Sequence, residues 1–117
     1  MSIEHVLAVI PVADVEVAHA WYERLFGRPA DNRPMEGLVE WQVTDNSWVQ
    51  VTNDADRAGS TLLNFAVDDL DRHVADASAR GLAPEAPETV TKGVQLSALR
   101  DPDGNLITLI GNFRVEY

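Results

Sequence analysis

An internal repeat constrains the fold of this chain more than any other feature of its sequence. An apolar segment, a Val-x-Asp step and a helix-like stretch ended by glycine occupy residues 7–27 and occur again in residues 62–81. Asp14 corresponds to Asp69 at an offset of 55 residues (69 − 14). A chain of 117 residues is too short for two ordinary domains. The two halves must therefore share a core or pair with another chain.

Both copies predict the same order of elements. In the first copy, Ile3–Val12 is rich in β-branched residues and predicts a strand. Asp14 then suits the N-cap of a helix, and Gly27 suits its end. In the second copy, Thr61–Val67 predicts the strand and residues 69–81 hold the helix with the same kinds of cap. Each half thus begins with a strand followed by a helix.

A hairpin follows each predicted helix. Apolar segments flank a polar turn in both halves, at residues 44–47 and at Asp101–Asn105. We expect Arg28–Pro34 and Leu82–Lys92 to be loops that lead from helix to hairpin, because both contain prolines. Residues 53–60 join the halves.

Composition excludes several kinds of site and partner. The chain has no cysteine, so disulfides, thiolate metal sites and a cysteine nucleophile are ruled out. A formal net charge of −10 disfavours nucleic acid and anionic membranes and suits a neutral or cationic small molecule. No run of 18 apolar residues occurs, and a cytoplasmic protein is expected. No Gly-x-Ser-x-Gly elbow or phosphate-binding glycine loop is found, and no catalytic residue is predicted.

Two segments give the repeat a family resemblance. Val12–Asp14 is followed by Trp21–Gly27, and Asp101–Thr108 lies near the end of the chain. With the repeat, these segments resemble the vicinal-oxygen-chelate superfamily of glyoxalases, extradiol dioxygenases and bleomycin-resistance proteins, over nearly the whole chain. The resemblance implies an α+β fold of two βαβββ units, with curved mixed sheets around a cavity. It also implies one domain over residues 1–117, with units at residues 1–53 and 60–113.

The resemblance also implies where a metal would be bound. Enzymes of the superfamily commonly hold a divalent ion with side chains from the first and last strands of each unit. The matching positions here are Leu7, Gln50, Leu62 and Thr108. Because divalent ions require imidazole or carboxylate donors, this set predicts that no metal cofactor is bound.

The same positions suggest a site for an organic ligand. The leucines would supply an apolar floor, and the glutamine and threonine would supply hydrogen-bonding groups. Trp41 and Trp48 could stack on a planar ligand, although each could equally belong to the core. His5 and Asn64 share strand faces with the two leucines. The predicted ligand-binding residues are His5, Leu7, Trp41, Trp48, Gln50, Leu62, Asn64 and Thr108.

The leading interpretation is a metal-free, small-molecule-binding homodimer similar to the bleomycin-resistance branch, with a planar or cationic ligand. One alternative is a lyase, isomerase or dioxygenase of the superfamily that binds metal through His5 and a displaced carboxylate such as Glu40. Another is an interaction module whose cavity is filled by side chains. The resemblance leaves open whether the two units form a cavity within one chain or pair with those of a partner chain.

Overall fold

The computed structural model of the chain describes residues 2–113, and the remainder of the predicted domain, residue 1 and residues 114–117, lies outside this range. Each half contains a strand, a helix and three further strands, which confirms the predicted pair of βαβββ units. The elements are β1 (Val6–Val12), α1 (Val15–Phe26), β2 (Asn32–Met35), β3 (Leu38–Thr44), β4 (Ser47–Asn53), β5 (Leu62–Val67), α2 (Leu70–Ala79), β6 (Glu88–Thr89), β7 (Gln95–Arg100) and β8 (Leu106–Gly111). Neither helix is long and apolar enough to cross a bilayer. The cytoplasmic location stays a prediction.

The strands form two separate four-stranded sheets. Their orders are β1-β4-β3-β2 and β5-β8-β7-β6, so each unit repeats the topology of the other. The first strand of each unit runs parallel to the last, and the remaining pairs are antiparallel. The sheets are therefore mixed, as the α+β assignment requires, and they do not close into a barrel.

Two of the outer strands lie where the sequence predicted loops. β2 falls largely within Arg28–Pro34, and β6 falls within Leu82–Lys92. Both are edge strands that pair on one side only. An edge strand tolerates proline because the missing N–H faces away from the ladder, so Pro34 does not prevent pairing. The proline-based prediction of loops was wrong at these two places.

The helix ends are formed as the sequence predicts. The Asp14 side chain accepts a hydrogen bond from the Glu16 N–H, and the backbone of Gly27 adopts a left-handed conformation with φ of 77°. Arg80 at the end of α2 donates from Nη1 to the backbone carbonyls of Arg24 (2.9 Å) and Leu25 (3.3 Å). The second unit therefore supplies partners for the otherwise unpaired carbonyls at the end of α1.

The core lies between the sheets and their helices. In the first unit, alternate residues of β1, β3 and β4 are buried beneath α1: Ile10, Val12, Val39, Trp41, Val49 and Val51. Ile107 of the second sheet belongs to the same buried cluster, and Leu63 and Phe65 pack against it. A second, smaller cluster lies around Leu70, Leu99 and Leu109, and Trp21 and Leu25 of α1 pack against it. The two units therefore share apolar contacts in both clusters.

A buried asparagine also joins the two units. Asn105 is 0% exposed, and its Nδ2 donates to the Pro11 carbonyl of the first unit (3.1 Å) and to Asp101 Oδ2 (2.8 Å). Its Oδ1 accepts from the N–H groups of Gly59 (3.0 Å) and Thr61 (2.9 Å) in the connecting segment. One side chain therefore bonds the end of β1, the linker and the Asp101–Asn105 turn.

Tyr22 of α1 extends this network. Its hydroxyl donates to Asp101 Oδ2 at 2.8 Å in a buried environment. Burial, followed by the charge of Asp101, raises the pKa of Tyr22 well above its ordinary value of 10.0, which keeps the phenol protonated as a donor. The carboxylate of Asp101 thus has a partner in each unit.

Candidate functional site

Each sheet has one face that carries no helix, and we call these the first and second open faces. Alternate residues of a strand point to the same face of its sheet. The side chains of the first open face therefore include Leu7, Val9, Glu40, Trp48, Gln50 and Thr52. The second open face includes Leu62, Asn64, Ala66, Leu106, Thr108 and Ile110. Both faces combine apolar side chains with a few hydrogen-bonding groups, the composition of a small-molecule site.

The predicted positions lie on these faces in two separate groups. On the first sheet, Leu7 pairs with Trp48 in the parallel register, and Gln50 follows two residues later. On the second sheet, Asn64 pairs with Thr108. The two groups therefore lie on different sheets, and no strand pairing joins these sheets within the described residues.

Two of the remaining candidates, Leu62 and His5, are exposed. Leu62 begins β5 and is 76% exposed, which leaves it available for a contact outside the chain. His5 is exposed and precedes β1 rather than belonging to it. His5 therefore lies at the margin of the first open face.

Trp41 corrects the predicted set of ligand-binding residues. It is 0% exposed beneath α1, because the β3–β4 register pairs it with the buried Val49 rather than with Gln50. Its indole Nε1 donates to the Arg28 carbonyl at 3.0 Å. Its ring lies 5.4 Å from that of His19 and 5.2 Å from that of Phe26. Trp41 is thus a core residue and cannot form a ligand wall.

Glu40 carries a negative charge on the first open face. It is half-buried and stands directly opposite Gln50 in the β3–β4 pair. Gln50 Nε2 donates to Glu40 Oε2 at 2.8 Å, and Asn32 Nδ2 donates to Oε1 at 3.2 Å. Sequence reasoning considered Glu40 only as a displaced metal ligand. Its position opposite Gln50 follows from the hairpin register, which composition alone does not reveal.

The residues on the open faces do not fit a divalent metal ion. The four positions implied by the resemblance hold only apolar or neutral side chains. Within residues 2–113, no three His, Cys, Asp or Glu side chains are grouped so that they could hold one ion. The partners of Glu40 are amide nitrogens, which donate hydrogen bonds and do not coordinate cations.

Two hollows lie in the described part of the chain, and the eight predicted residues line neither. One, of about 540 Å³, continues the first open face beyond Val9 and Thr52 and is bordered by the linker residues Asp54 and Arg57. The other, of about 380 Å³, lies at the junction of the units beside Phe26 and Phe65. Sequence reasoning missed Val9 and Thr52, although the alternation that placed Leu7 and Gln50 also points to them.

Comparison with known proteins supports the family assignment. The model of the glyoxalase-like domain family matches residues 7–110. No curated protein matches the sequence. A glyoxalase/bleomycin resistance protein from Catenulispora acidiphila is 30% identical, with a TM-score of 0.86, and the alignment covers 92% of this chain and 96% of that one.

Two further solved structures are antibiotic-binding proteins. A bleomycin-binding protein in complex with bleomycin is 26% identical, with a TM-score of 0.77, and the alignment covers 93% of this chain and 98% of that one. TnmS3, an antibiotic-binding protein from a Streptomyces species, is 27% identical, with a TM-score of 0.77 and coverage of 95% and 98%. With the family match and the repeated βαβββ topology, these similarities show that the chain belongs to the glyoxalase-like domain family of the vicinal-oxygen-chelate superfamily.

Proposed function

We propose that this protein binds a planar or cationic small molecule on its open faces without a metal ion. The observation that carries the proposal is the composition of the first open face: an apolar floor, one tryptophan, and the Gln50 amide hydrogen bonded to the Glu40 carboxylate. Such a surface can stack and hydrogen bond with a ligand but holds no nucleophile and base in contact. The likeness to bleomycin-binding and antibiotic-binding proteins supports this function.

We infer that the site is completed by a second copy of the chain. Large apolar side chains are at least half exposed at Leu7, Val9, Met35 and Leu62. β1 and β5 are edge strands, and one side of each is left unpaired by the strands of residues 2–113. Exposed apolar faces beside free strand edges favour association. A homodimer that places the first open face of one protomer against the second open face of its partner would cover them and enclose a cavity.

The dimer predicts a change in mass on substitution at the second open face. The wild-type protein should have a mass near twice 12.9 kDa in light scattering after size exclusion. Leu62→Lys should shift it toward the monomer, because burying an unpaired ammonium at an interface is costly. Val17→Lys is the matched control, since Val17 is an exposed apolar residue on α1. A wild-type monomer would contradict the dimer, and equal masses for the two variants would contradict an interface at the second open face.

Ligand binding is expected to change the fluorescence of Trp48. Titration with bleomycin and a panel of planar and basic antibiotics should quench emission in the wild type. Trp48→Phe should remove most of the change, while Trp21 and Trp41 still emit. The quenching should persist after dialysis against EDTA, because the described residues hold no group of three side chains that could bind a metal ion. If no compound quenches emission, or if EDTA abolishes binding, the proposed function fails.

A further inference from the structure

We propose that Glu40 is the specificity-determining residue of the first open face and that it binds a protonated amine or amidinium group of the ligand. This inference rests on the proposed function and names the ligand chemistry for which that site is built. It follows from the bonds that hold the carboxylate, from the lack of an internal counter-charge, and from the distance to Trp48.

The Glu40 carboxylate is held in place but not saturated. Each of its oxygens accepts one hydrogen bond, from Asn32 Nδ2 and from Gln50 Nε2. A carboxylate offers about four lone-pair sites, so about two remain for a ligand. Both donors lie on neighbouring strands, β2 and β4, and this restricts the side chain to one orientation. The acceptor is therefore preorganised for a donor that arrives from the open side.

The charge of Glu40 has no cationic partner within the described chain. Its two bonds come from neutral amides, and the arginines on neighbouring segments are used elsewhere. Arg28 donates to Asp31 (2.9 Å) and to a backbone carbonyl, and Arg33 donates to Glu16 (2.7 Å). A half-buried carboxylate without a counter-charge attracts a cation, and the net charge of −10 adds to that attraction.

The position of Trp48 adds a geometric requirement. Trp48 lies opposite Gln42, two residues from Glu40 along β3, so the two side chains are diagonal neighbours on one face. Such neighbours are separated by about 7–8 Å. A ligand that stacks on the indole and carries a positive group at its edge can therefore reach the carboxylate. The ligand class is thus a planar aromatic cation rather than a metal ion.

The test compares two probes that differ in charge. At neutral pH, 9-aminoacridine is protonated, whereas acridine is uncharged and has the same ring system. For the wild type we expect 9-aminoacridine to bind about 10- to 100-fold more tightly than acridine, because a hydrogen bond to a charged group increases affinity by about that factor. Glu40→Gln should remove the difference by weakening only the cationic probe. Glu23→Gln, an equal change of charge on exposed helix α1, should leave it unchanged.

The outcomes separate the two proposals. If Glu40→Gln prefers 9-aminoacridine over acridine as strongly as the wild type does, Glu40 does not select the cation, although the binding function stands. If Glu40→Gln and Glu23→Gln reduce the preference equally, the effect belongs to the net charge and the inference is wrong. If neither probe binds the wild type, the binding function fails and the role of Glu40 fails with it. Selective loss in Glu40→Gln, with acridine binding retained, supports the inference.

Discussion

Replacement of Asn105 by alanine is expected to lower the free energy of unfolding by about 3–5 kcal/mol, because it removes a fully buried side chain that bonds four groups. The N–H groups of Gly59 and Thr61 and the carbonyl of Pro11 would lose their partner at once. Asp101 would keep only part of its network. Urea denaturation followed by circular dichroism measures the loss.

The matched control for this substitution is Asn46→Ala. Asn46 lies in the exposed hairpin turn of the first unit, and its side chain makes no bond across the units. A surface change of this kind is expected to stay within about 0.5 kcal/mol. If Asn105→Ala lost no more stability than Asn46→Ala, the hydrogen bonds of Asn105 would not be what holds the two units together.

Trp41→Ala is expected to destabilise the protein by about 3–5 kcal/mol, because a large aromatic side chain is removed from a closed core. The indole is 0% exposed and packs against Tyr22 and Phe26. The substitution also deletes its bond to the Arg28 carbonyl. Thermal and urea unfolding of purified protein measure the effect.

Trp48→Ala provides the comparison, since Trp48 lies on the opposite face of the same hairpin. The two tryptophans should separate stability from binding: loss of Trp41 weakens the fold, and loss of Trp48 weakens ligand binding with a smaller change in stability. A Trp41→Ala protein as stable as the wild type would contradict the core assignment. A Trp48→Ala protein with unchanged ligand affinity would remove Trp48 from the site.

Much of the fold could be predicted because its local signals are strong. Asp14 and Gly27 occupy the helix ends that their chemistry predicts, and the corresponding Asp69 accepts a bond from Arg72 N–H. The repeat then restricts the topology, since two strand-helix-hairpin units of this length have few arrangements. The strands β2 and β6 were missed because both are short and exposed and contain or adjoin prolines. Neither therefore shows the alternation of a central strand.

The site could be predicted only where alternation decides the face. Leu7 and Gln50 could be placed on the first open face because each lies two residues from another residue of that face, and alternate residues of a strand share a face. The face of Trp41 depends instead on its register with β4, which pairs it with Val49 and not with Gln50. Whether the faces meet across two chains depends on surfaces that no single segment encodes. For the same reason, enclosure of the ligand remains a proposal.

The hydrogen bonds of Asn105 also show that the two repeats are not interchangeable. The second unit supplies the asparagine, whereas the first unit supplies the receiving carbonyl of Pro11 and has Ser47 at the matching position of its own hairpin. A duplicated first half would have Ser47 where the second half has Asn105, and it would therefore lack the amide that makes these hydrogen bonds. The two units thus match in their backbone path, whereas the contacts of Asn105 are made once, by the second unit.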